Sequence, residues 1–89
     1  MSVSNGSVSV GTAATVVPVS SPNPYELHIH NDDNTDEVFL GGAGVTTSNG
    51  YQLNKLETVK FEMTPGDRMF CVSTKTGHTI SWLAILKQT

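Results

Sequence analysis

The sequence predicts an all-β domain: a small antiparallel β-sandwich or barrel, jelly-roll-like, with about six to eight short strands. Three observations carry that expectation. Val is the commonest apolar residue with ten copies, and together with eleven Thr it displaces the strong helix formers. Apolar residues recur with a period of two in short runs, and no segment repeats them at helical spacing. Clusters of Gly, Pro, Asn and Ser separate those runs as turns do.

Taken in order, the chain begins with a polar lead-in. Val8 and Val10 then alternate with Ser7 and Ser9, Gly11–Ala14 breaks the pattern, and Thr15-Val-Val-Pro-Val19 resumes it. Pro18 cannot donate to a ladder, so this segment is expected at a sheet edge. Ser20-Ser-Pro-Asn-Pro24 is a turn cluster. Tyr25–His30 places Tyr25, Leu27 and Ile29 on one face and Glu26, His28 and His30 on the other. After an acidic loop, Asn31–Asp36, a strand starts at Glu37-Val-Phe-Leu40 and stops at Gly41-Gly-Ala-Gly44. Asn49-Gly50 reads as a tight turn, with Tyr51 and Leu53 returning to the core. Val59, Phe61 and Met63 share a face, and Thr64-Pro-Gly-Asp67 fits a type II turn. Arg68–Thr74 and Thr79–Leu86 are the strongest strands, joined by Lys75-Thr-Gly77 and His78. The last is apolar on both faces beyond Ser81, which suits a central strand or a subunit interface.

At 89 residues the chain has room for one domain, read as residues 8–89 behind a flexible N-terminal arm, 1–7. A net charge of −3 with five scattered basic residues gives nucleic-acid binding no electrostatic footing. No stretch approaches the roughly 20 apolar residues of a membrane-spanning helix. The single cysteine, Cys71, cannot form an internal disulfide, and Met1-Ser-Val-Ser-Asn-Gly lacks the features of a signal peptide. The chain is therefore expected to be made and kept in a reducing cytoplasm until assembly or release. A core this small favours oligomerisation.

The candidate sites for chemistry are weak. His28 and His30 point the same way on a strand and are the candidate metal ligands, but the pattern around them lacks the glycine and the acidic residue of a cupin motif. Asp32, Asn34 and Asp36 have the opening spacing of an EF-hand loop, yet Glu37 stands where Gly is required and Ala43 where the bidentate Glu belongs. Gly41, Gly42 and Gly44 precede no Lys-Ser/Thr pair, so they form a bend and not a phosphate loop. Cys71 sits mid-strand with nothing to activate it, and no Ser-His-Asp set stands out. The sequence predicts no enzyme and no cofactor.

Val38-Phe-Leu-Gly-Gly42, Val45-Thr-Thr-Ser-Asn-Gly-Tyr51 with Leu53, and the Pro65-Gly-Asp67 turn before an aromatic strand resemble small structural proteins of tailed bacteriophages. The resemblance spans roughly Val8 to Leu86. It implies a β-sandwich decoration, or cement, protein on the outside of the virion head, bound to the major capsid protein and commonly a homotrimer. Candidate capsid or oligomer contacts are Val3, Val8, Gly41, Gly42, Gly44 and Trp82. Two alternatives stand beside it. One is another virion part: a tail, baseplate or head–tail adaptor subunit. The other is a small sugar- or metal-binding β-domain that uses His28, His30 and Trp82.

Overall fold

The computed structural model describes residues 2–19, 23–33 and 35–86. Part of the expected Ser20–Pro24 turn, and Asn34 of the acidic loop, lie outside the described residues. In chain order the strands are β1 (Ser2–Val10), β2 (Thr15–Val16), β3 (Tyr25–Asn31), β4 (Val38–Gly41), β5 (Tyr51–Leu53), β6 (Thr58–Met63), β7 (Phe70–Ser73) and β8 (His78–Leu86). They form two four-stranded antiparallel sheets, ordered β1-β8-β3-β6 and β2-β7-β4-β5. The all-β sandwich expected from the sequence is present, and this strand order is that of a jelly roll.

Period-two patterning sets which side chains meet between the sheets. Tyr25, Leu27 and Ile29 of β3 and Ile80, Trp82 and Ala84 of β8 face Val38, Leu40, Leu53 and Cys71 of the other sheet. Strand β8 is central in its sheet, between β1 and β3, with Ile80, Trp82 and Ala84 in the core and Leu83 exposed on the outer face. The short β2 is an edge strand that ends before Pro18. The Thr64–Asp67 turn has Gly66 at φ 86°, and the Asp67 N–H donates to the Thr64 carbonyl at 3.0 Å. The buried Tyr25 hydroxyl donates to the Asp67 carbonyl at 2.8 Å, tying that turn to the core, and burial pushes its pKa up.

The structure departs from the sequence reading at four places. The segment read as an arm, 1–7, is a strand over Ser2–Ser7: β1 runs to Ser2 and pairs with β8 residue for residue, from Ser2 opposite Leu86 to Val10 opposite His78. Deleting 1–7 therefore strips a strand from β8 and does not simply remove a tail. His78 begins β8 and is fully buried, where a connection was expected. Tyr51 does not plug the core as Leu53 does; it is 60% exposed and packs edge-on against Phe61, with ring centroids 6.3 Å apart. The glycine-bearing 41–50 loop folds back over the outer face of its own sheet, where Val45 is buried beside Gly41 and Gly50 and where Val72 is buried too.

Candidate assembly interface

A two-sheet sandwich has four strand edges, and each is an open template for another strand unless something blunts it. Three of them are blunted here. Strand β2 has two residues and Pro18 beyond it, and β5 has three. Strand β6 presents Lys60 and Glu62 on its outer face. The fourth, β1, has nine residues, no proline and no charge. Residues 1–25 contain no Asp, Glu, Lys, Arg or His at all. Among the described residues β1 pairs with β8 alone, so its far edge meets no strand of this chain.

The outer face beside that edge carries an apolar patch at the end where Val3 meets β8. Val3 is 60% exposed opposite Ile85, and Leu83 is 37% exposed between Asn5 and His28. Of the predicted contacts, Val3 thus lies on the open surface. Val8 and Trp82 instead turn inward, with Val8 packed against the core and the Trp82 indole seated over Gly6. A Cβ on Gly6 would lie 3.1 Å from three atoms of that ring, so Gly6 is what makes room for it. Trp82 Nε1 is buried with no hydrogen-bond partner. Gly41 is filled by Val45, whereas Gly42 and Gly44 open to solvent on a cleft of about 260 Å³. That is below the roughly 300–1,000 Å³ of small-molecule sites.

His28 and His30 share the outer face of β3, as expected, but each is engaged separately. His28 Nε2 is 3.4 Å from Glu26 Oε1, while His30 Nδ1 is 2.8 Å from Thr58 Oγ1 and its Nε2 3.6 Å from Asp32 Oδ1. No group of three or more His, Cys, Asp or Glu suited to a metal ion occurs among the described residues. Replacing both histidines with Asn is expected to change stability by less than about 1 kcal/mol, because these are partly exposed contacts. Urea unfolding measures it, and stoichiometric zinc in the purified protein would overturn it.

The structure also gathers a polar cluster at one end of the sandwich. His78 Nε2 lies 2.7 Å from Asn31 Oδ1, and Ser73 Oγ lies 3.1 Å from His78 Nδ1. Asn31 Nδ2 donates to the carbonyls of Asp36, Leu53 and Asn54 at 3.0–3.2 Å, so its Oδ1 must accept. His78 therefore donates from Nε2, and its Nδ1 shares a hydrogen bond with the Ser73 hydroxyl. Asp33 Oδ2 stands 3.9 Å from that same Nδ1. A hydrolytic triad needs its carboxylate on the other ring nitrogen and its serine open to substrate. Ser73 is 1% exposed and His78 0%, so the cluster serves the fold. Cys71 is equally closed off: burial pushes its thiol up to about 12, and Sγ donates to the Thr15 carbonyl.

Lys75 closes the cluster from outside, with Nζ 2.7 Å from Asp33 Oδ2 and 3.0 Å from Asp36 Oδ2. The Lys75 ammonium, and after it the Thr35 hydroxyl and N–H, hold the Asp33 carboxyl well below the usual carboxylate range. Asp33 and then Asp36 in turn raise Lys75. A depressed carboxyl contributes its full stability above the unfolded value of about 3.9 and loses it as pH falls toward the folded one. The acid limb of the stability curve below about pH 4 is therefore expected to be shallower in Asp33→Asn than in the parent. Urea midpoints at stepped pH measure it, and parallel acid limbs would overturn it.

No family model matches the sequence, and no curated protein matches it. Among solved structures, the fold is similar to one from Bacillus endospore appendages, described as forming a novel family of disulfide-linked pili. The TM-score is 0.63 over 98% of this chain and 87% of that chain, at 12% sequence identity. At that identity the likeness establishes a shared fold.

Proposed function

We propose that this chain is a structural subunit that associates with copies of itself and coats a larger shell, the outer surface of a bacteriophage head. The observation that carries the reading is β1: a long, neutral, unblunted edge strand beside an exposed Val3–Leu83 patch, in a fold that otherwise blunts its edges. The phage-like Val38–Leu53 pattern and Pro65-Gly-Asp67 turn support the virion setting. The fold likeness to a pilus subunit supports self-assembly. The pili formed by that similar structure are disulfide-linked, whereas the one cysteine here is buried, so this assembly does not use disulfide links. Many weak, repeated contacts to a capsid lattice then add to firm binding by avidity, and binding to the mature shell stabilises it.

The test is to mix purified protein with expanded heads of the source phage that lack it. Co-sedimentation at a saturating ratio, together with raised thermal resistance of the heads, supports the reading. A monomer at micromolar concentration that binds no head overturns it. Fibres formed by the protein alone would move the setting from shell to filament and keep self-assembly.

A further inference from the structure

We infer that two copies of this chain join through β1, antiparallel about a two-fold axis at Gly6, merging two four-stranded sheets into one of eight strands. The inference rests on the assembly reading above and names the partner within it, a second copy. Any strand added at β1 has to match a nine-residue uncharged edge. The β2 and β5 edges of another copy offer two and three residues. Its β6 edge offers six, but brings Lys60 and Glu62 against neutral Ser and Asn, and the Tyr51 ring stands against Phe61 at that rim. A second β1 offers all nine and no charge.

Full overlap of Ser2–Val10 with itself centres on Gly6, setting Asn5 of one copy opposite Ser7 of the other and Val3 opposite Ser9. Opposite residues in an antiparallel pair share a sheet face, so the alternation of both copies is preserved. At the axis two glycines meet without side chains, and the space a Cβ would take on the inner face is filled by Trp82. On the outer face Asn5 and Ser7 are both exposed small polar residues suited to a cross-strand hydrogen bond. The same symmetry places both Val3–Leu83 patches on one face of the joined sheet, ready to meet one surface.

The register makes a specific cross-linking pattern. Cα atoms of opposite residues lie about 4.5–5.5 Å apart, within disulfide reach. Under mild oxidation, a mixture of Asn5→Cys and Ser7→Cys chains is expected to give disulfide-linked dimers holding one of each. Either variant alone is expected to give at least about fivefold fewer, since its own cysteines sit on diagonal positions. A charge series tests the same pairs without cysteine. Asn5→Lys combined with Ser7→Lys opposes like charges twice and is expected to weaken the dimer about tenfold or more in sedimentation equilibrium. Asn5→Lys combined with Ser7→Glu opposes unlike charges twice and is expected to restore it. Both sites are exposed, and the emission of the one tryptophan, Trp82 over Gly6, reports whether β1 keeps its place. Oligomers indifferent to both charge variants, or no preference for the mixed cross-link, overturn the two-fold pairing. Monomers that still coat phage heads overturn it while leaving the shell-coating part of the proposed function intact, and monomers that bind no head overturn both.

Discussion

Replacing Asn31 with Asp is expected to cost about 3–5 kcal/mol, a large part of the stability of a domain this size. Asn31 is fully buried, and each hydrogen bond of its side chain is directional. Nδ2 donates its two hydrogens among three carbonyls, of Asp36, Leu53 and Asn54, one hydrogen being shared, and Oδ1 accepts from His78 and from the Asp33 N–H at 3.0 Å. One amide thus ties the acidic loop, the end of β5 and the start of β8. A carboxylate keeps the acceptor side and turns the donor side into a second oxygen about 3 Å from three others. The carbonyls lose their donors and the charge has no water, so the penalty exceeds that of a single missing bond. Urea unfolding at pH 7 reads the effect as a lowered midpoint at unchanged slope. A loss under about 1 kcal/mol would show that the cluster opens to solvent and is not structural. Ser73→Ala is the graded control, since it removes one hydroxyl and is expected to cost about 1–2 kcal/mol.

Much of this arrangement was legible in the sequence, and what was missed follows from where pattern reading stopped. The alternation that put Tyr25, Leu27 and Ile29 inward continues by one more step to Asn31, and the alternation of Ile80, Trp82 and Ala84 reaches back by one step to His78. Both polar residues occupy core positions, and reading their chemistry as loop chemistry hid the cluster. Strand β1 was hidden for a different reason. The alternation of Val8 and Val10 marks only its end; over Ser2–Ser7 the residues are mostly small and polar, and Val3 stands on the opposite face, so no apolar period carries the strand further back. Its place comes from β8, which offers nine residues to pair with. The outward face of His28 and His30, and the central place of β8, came directly from period two and from the length of the apolar run. Which edge was left open could be asked only once the strand order was known.

Gly50→Ala is expected to cost about 2–4 kcal/mol, whereas Gly42→Ala and Gly44→Ala stay within about 0.5 kcal/mol of the parent. Asn49-Gly50 suggests a turn that needs a left-handed glycine, but only Gly66 and Gly77 among the described glycines have positive φ. Gly50 is required for space. A Cβ there would lie 2.7 Å from Phe39 Cβ, 2.8 Å from Val45 Cγ2 and 3.0 Å from the Thr46 carbonyl. Neither the Phe39 Cβ nor the Thr46 carbonyl is the free end of a side chain, so neither moves without its backbone. The loop is pinned here from both sides, since the Gly50 N–H donates to the same Thr46 carbonyl at 2.9 Å and the Thr46 N–H donates to Asn49 Oδ1 at 2.7 Å. An added methyl therefore lifts the loop and uncovers the buried Val45, adding lost burial to the strain. Gly41 is the intermediate case, because its Cβ would press on the Val45 side chain alone, at 2.9 Å. Thermal melts of the four alanine variants should rank them Gly50 far below Gly41, with Gly42 and Gly44 level with the parent. A Gly50→Ala variant that melts with the parent would mean that the loop does not seal the outer face of the β2-β7-β4-β5 sheet.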